Sequence, residues 1–176
     1  MFLNMESSNY NVNIRFLVDH LFHPLGVSIA DVKTMDESVD YDAHTFRANS
    51  HLVIFRKAKI TPKKIGQFVT IWKRNLGKIT VPYDIKDDFS CLMILVEREA
   101  KVGIFIFPKS ILHLHNIISD ITSDGKRGFR VYPNWDLPTN KQALSSQIWQ
   151  SVFFIDLSSA KIYDHPKAKF LLSYLQ

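Results

Sequence analysis

A mixed α/β (α+β) fold, a central sheet flanked by helices, is predicted from three features of the 176-residue chain. Strand-length apolar runs rich in Val, Ile and Phe occur at Leu52–Lys59, Cys91–Arg98 and Lys101–Phe107. Helical spacing of apolar residues occurs before and after them, at Asn11–Phe22 and Thr139–Phe154. Apolar residues make up 46% of the chain and charged residues 22%, the balance of a globular domain, which excludes disordered and fibrous architectures.

The elements follow in order. Asn11–Phe22 places Ile14, Leu17, Val18, Leu21 and Phe22 on one face, and Pro24 and Gly26 stop the helix. Val27–Met35 and Tyr41–Ala48 are predicted strands, with an Asn49-Ser50 turn before Leu52–Lys59. Thr61-Pro62 has the residues of a helix start, a capping Thr and a first-turn Pro. The helix it opens runs to Arg74, with Ile65, Phe68, Val69 and Trp72 as its apolar stripe. Cys91–Arg98 and Lys101–Phe107 form a tight hairpin, followed by a short helix at Lys109–His115 and a strand at Arg130–Tyr132. Thr139–Phe154 is predicted as a helix buried on Leu144, Ile148 and Val152. Ser159–Leu175 reads as helical and interrupted by Pro166, part of a C-terminal appendage spanning 155–176. Helix, three strands, helix, strand is also the element order of restriction-endonuclease-like cores. One domain over residues 1–176 is expected.

Charge is unevenly distributed. The net charge is +5, yet Ala43–Tyr83 contains no Asp or Glu. That window holds nine cations: Arg47, Arg56, Lys57, Lys59, Lys63, Lys64, Lys73, Arg74 and Lys78. Outside it, 13 cations face all 17 anions. A slightly acidic body with one strongly positive segment suggests an anionic partner. The single cysteine, Cys91, excludes a disulfide framework and a Cys-based zinc site, and fits a reducing cytoplasm as an inert buried thiol. Met1–Arg15 has no signal-peptide pattern, and no apolar run approaches the ~20 residues of a membrane span.

Phe55–Arg74 reads FRKAKITPKKIGQFVTIWKR. It is preceded by Glu37-Ser38-x-x-Tyr41-x-Ala43 and followed by FIFPK at Phe105–Lys109, GKRGFRVYPNWD at Gly125–Asp136 and QIWQ at Gln147–Gln150. In this order, over about residues 37–154, these segments closely resemble the MepB family, bacterial proteins named for a gene beside a multidrug efflux pump. The resemblance covers most of the chain but implies little mechanism.

Read as chemistry, the predicted Thr61–Arg74 helix opposes its apolar stripe with Lys63, Gln67, Thr70 and Arg74, with Lys64 and Lys73 on the flanks. Together with Arg56, Lys57 and Lys59 this gives a strand–helix unit suited to phosphate contacts. Lys126, Arg127 and Arg130 interleave with Tyr132 and Trp135, a pattern for holding phosphates while stacking bases. Gln147, Trp149 and Gln150 offer either base-edge contacts or internal hydrogen bonds. In an endonuclease-like site an acid would stand where Lys57 does, and a cation cannot ligate a hard metal. Glu37, Asp40 and Asp42 with Lys59 would make a displaced metal-dependent nuclease site. His20-x-x-His23 and His113-x-His115 have the spacing of ligands but not a shared helical face.

The sequence is thus read as a monomeric, cytoplasmic, non-catalytic nucleic-acid-binding protein without cofactor, metal or membrane contact. A divergent nuclease and a binder of small phosphorylated metabolites are the alternatives.

Overall fold

The computed structural model describes residues 10–158 and 166–175. A six-stranded sheet forms its middle layer. Its strands are β1 (Ile29–Thr34), β2 (His44–Ala48), β3 (His51–Lys57), β8 (Cys91–Arg98), β9 (Lys101–Pro108) and β11 (Phe154–Asp156), hydrogen-bonded in that order. Every pairing is antiparallel except β3 with β8, where Val53 to Lys57 lie beside Cys91 to Leu95. The apolar run of β8 is explained by burial on both faces, with Cys91, Met93 and Leu95 in one core and Leu92, Ile94 and Val96 in the other.

One face is covered by helices from the two ends of the chain. α1 (Val12–Leu17) is capped by Asn11, whose side chain accepts from Ile14 N–H, and continues through a wider turn over Val18–Phe22. It buries Ile14, Leu17, Leu21 and Phe22 of the expected stripe, with Val18 partly buried against the same core. α4 (Pro166–Ser173) packs in the same cluster through Leu171 and Leu172, with Leu175 just beyond its end. Among the described residues this helix runs from Pro166, a residue tolerated in a first helical turn because it has no N–H to lose. The C-terminal segment is accordingly part of the core, not an appendage. The stretch Ser159–His165 of that expected helix lies outside the described residues.

The other face corrects the largest expectation. Thr61–Arg74 is not helical. It forms β4 (Lys59–Thr61), β5 (Lys64–Thr70) and β6 (Trp72–Arg74). Apolar content was read at a period of 3.6, but burial follows a period of 2, with Gln67, Val69 and Ile71 all inside. Thr61-Pro62-Lys63 makes the turn of the β4–β5 hairpin instead of a helix cap. Gly66 sits at φ +81°, outside any right-handed helix. β5 pairs on one side with β4 and on the other with β10 (Gly128–Val131). β6 pairs with β7 (Thr80–Pro82). The crossover from β3 to β8 is therefore built from strands, and the helix of the endonuclease-like order is absent from it.

Two helices complete this face, so the mixed sheet is flanked by helices on both sides. α2 (Lys109–Leu114) buries Leu112, and α3 (Lys141–Ser151) is capped by Asn140, whose Oδ1 accepts from Ala143 N–H at 2.9 Å. α3 packs inward through Ala143, Trp149 and Gln150. Leu144, Ile148 and Val152, the stripe expected to be buried, face solvent instead. Among the described residues no helix is long and apolar enough to cross a membrane.

Because α4 is core, Leu172→Ala should lower unfolding free energy by about 2–5 kcal/mol. A surface appendage would give a change within about 0.5 kcal/mol. Urea denaturation followed by circular dichroism separates the two.

Candidate functional site

The cations of the basic segment meet very different fates. Arg56 is fully buried, its Nη1 donating to the Phe55 carbonyl at 2.7 Å. Burial lowers its pKa, opposed by nearby Tyr83 and Glu37. It faces the crossover layer and cannot reach a phosphate. Lys57 pairs with Glu97 at 2.7 Å, and Lys73 pairs with Asp87. Lys59 lies 5.1 Å from the Tyr41 ring centroid and Arg74 5.8 Å from that of Trp72. Gln67 is buried, with its amide donating to the Glu97 carbonyl at 3.1 Å. The cationic helix face of the sequence reading does not exist, since strand geometry sends alternate side chains to opposite faces.

Lys63 and Lys64 differ. They stand at the β4–β5 turn, exposed, on the wall of a cavity of about 600 Å³. The same wall receives Lys126 and Arg130 from the second cationic motif. Among the described residues the ammonium groups of Lys63, Lys64 and Lys126 have no carboxylate within ion-pair distance. The wall carries no Asp or Glu at all. The start of α3 also borders it, through Thr139, Asn140 and Ala143, and adds the positive end of the helix dipole. Two parts of the sequence that looked like separate basic elements therefore meet at one concave site.

The second motif supplies structure as well as charge. Arg130 donates from Nη1 to the Gly66 carbonyl at 3.0 Å and from Nη2 to Thr61 Oγ1 at 2.6 Å, which ties β10 to the β4–β5 turn. Tyr132 lies across Gly66 so closely that a Cβ there would stand 2.6 Å from its ring. Its exposed edge borders the cavity, and burial raises the pKa of its hydroxyl. Arg127 lies outside the cavity wall and donates to the Thr80 carbonyl at 3.1 Å. Trp135 packs edge-on against Phe154, with centroids 5.2 Å apart, and is not a stacking surface. The two glutamines of QIWQ are consumed internally. Gln147 donates to the carbonyls of Pro133 and Asp136, while Gln150 bonds the backbone on either side of Val131.

Asp136 anchors the turn that follows Tyr132. Its side chain is fully buried, 2.7 Å from Arg98 Nη1. Burial raises its pKa, and Arg98, the Gly66 N–H and Lys101 oppose that rise.

Sequence reasoning missed His115 as a site residue. It stacks on Trp149, with centroids 3.8 Å apart and planes at 12°, and both rings border the cavity. Nothing in its spacing marks it, because it reaches Trp149 through the fold. His113 instead pairs with Asp120 at 2.5 Å, away from His115. His20 bonds its own helix, at Phe16.

The displaced nuclease site does not assemble. Asp42 accepts from the amides of Asn11 and Asn13 at 2.7 Å each. Among the described residues no three of His, Cys, Asp and Glu are placed to hold a metal ion. Cys91 is buried, and its thiol is pushed up to about 12, so it is unreactive.

The MepB-like family profile matches residues 35–156, which include every residue of the cavity wall but neither α1 nor α4. The crystal structure of MepB is similar at a TM-score of 0.73 and 34% identity, over 74% of this chain and 88% of that one. No curated protein matches.

Removal of Arg98 should leave Asp136 buried without its counter-charge. Arg98→Leu is expected to cost on the order of 3 kcal/mol near pH 7. In the variant the folded-state pKa of Asp136 lies above its unfolded value, so the deficit is largest above that pKa and shrinks as pH falls. Denaturation curves of both proteins from pH 7 to pH 4 should converge.

Proposed function

The chain belongs to the MepB-like family, and we propose that it binds single-stranded nucleic acid through phosphate contacts at the cavity beside α3. The observation that carries this reading is the convergence of Lys63, Lys64 and Lys126 on a wall with no acid. Unpaired ammonium groups in a concave, acid-free site raise the local concentration of an anion. The cavity, at about 600 Å³, has room for individual nucleotides but not for the cylinder of a duplex. Aromatic rings border it, as in sites where single strands stack without sequence readout. The reading is one of binding, and it is supported by a wall of lysines that carries no carboxylate to repel a phosphate.

The same concavity favours a second reading, a small phosphorylated metabolite held by the same three lysines. Chain length separates the two: a strand spanning the site gains affinity with each added nucleotide, whereas a metabolite pocket gains nothing beyond the first.

Fluorescence anisotropy with single-stranded oligonucleotides, titrated against salt, tests the proposal. Lys63→Ala, Lys64→Ala and Lys126→Ala should each reduce the slope of log affinity against log salt by about 0.7. Arg56→Met should leave that slope unchanged, in contrast to the expectation from sequence. Absence of binding at low salt would remove the reading.

A further inference from the structure

The aromatic part of the cavity has a feature that phosphate binding alone leaves unexplained. His115 is half-buried and rests on Trp149 at 3.8 Å, nearly parallel to it. His20, His44, His51 and His113 each engage a ring nitrogen with a nearby polar group. Among the described residues no such side-chain bond holds His115, which stacks on Trp149. Burial and the charge of Lys126 lower its pKa, so the imidazole is neutral at physiological pH. A neutral ring packed on an indole is a π-surface, not a further cation. Lys126 stands close enough to influence His115 electrostatically and borders the same cavity. Phe107 also packs against the indole of Trp149, with centroids 5.3 Å apart and planes at 50°.

We infer that the Trp149–His115 stack is the platform for one unstacked nucleobase of a bound strand, placed where Lys126 can hold the adjacent phosphate. The inference rests on the nucleic-acid reading above. Phosphate contacts supply affinity that depends on salt, and the platform supplies affinity that depends on the presence of a base. Stacking is indifferent to base identity because every base has a π-face.

Two fluorescent probes of equal length and charge separate these contributions: an oligothymidylate of about twelve nucleotides and an abasic strand with the same backbone. The protein should prefer the base-bearing probe by roughly 5-fold to 150-fold. His115→Ala should abolish that preference while leaving the salt slope of both probes unchanged. His115→Phe, which keeps a ring on Trp149, should retain it, and guards against loss of fold in the alanine variant. Equal affinity of the native protein for both probes would overturn the platform and leave phosphate binding standing. So would equal weakening of both probes by His115→Ala. Failure of both probes to bind at low salt would overturn both readings.

Discussion

The parallel pairing of β3 with β8 is the constraint from which the rest of the molecule follows. Two parallel neighbours cannot be joined by a tight turn, so the chain must leave the sheet, cross one face and return. Here the crossing segment is itself β-structure. It lays β5 across the sheet, and β10 joins it from much later in the chain. Val69, Ile71, Phe129 and Val131 then fill the space over Ile54, Ile94, Phe105 and Phe107. Burial of each such side chain contributes roughly 1.5–3 kcal/mol, so this second layer is held by the core, not by its short hairpin. The cavity is the gap that remains where the small sheet ends and α3 begins.

The same geometry sorts the charges. A run of cations in sequence becomes, in a twisted two-layer structure, a set of side chains pointing in several directions. Those beside the large sheet meet carboxylates, as Lys57 meets Glu97. Those at the crossover turn project beyond the layers and meet none. Exposed pairs of this kind contribute little to stability, about 0–1 kcal/mol each. Their larger consequence is to neutralise Lys57 and Lys73, while Lys59 and Arg74 stay over the rings of Tyr41 and Trp72. Within the cavity wall the positive charge of Lys63, Lys64 and Lys126 meets no acid.

What was legible in the sequence had a physical reason to be. The α1 stripe and the β8–β9 hairpin each follow from local pattern. Lys63, Lys64, Lys126, Arg130 and Tyr132 were all named from motif chemistry, and all border the cavity. Thr61–Arg74 was misread because Ile65, Phe68, Val69 and Trp72 fit a helical stripe, while the alternation of Gln67, Val69 and Ile71 is masked by a polar residue at a core position. An amide is buried there because the Glu97 carbonyl receives it, a partner 30 residues away in sequence. Arg56 and His115 were illegible for the same reason. One is buried and the other stacked by elements that no local window contains. On α3, Leu144, Ile148 and Val152 have ideal spacing for a core face, yet the helix is oriented by Trp149 and by its two bracing glutamines.

One of those glutamines does more than orient the helix. Gln150 accepts from the Tyr132 N–H at 2.8 Å and donates to the Arg130 carbonyl at 2.9 Å. Its carboxamide has the same donor and acceptor as a peptide unit, and it meets Arg130 on β10 and Tyr132 just past its end as the next strand of a ladder would. β10 ends its sheet, so this side would otherwise present free backbone groups to any extended chain nearby. A single side chain on a helix thereby imitates a neighbouring strand and closes the sheet. Strand addition from another molecule is blocked at that margin by mimicry, with Pro133 just beyond it.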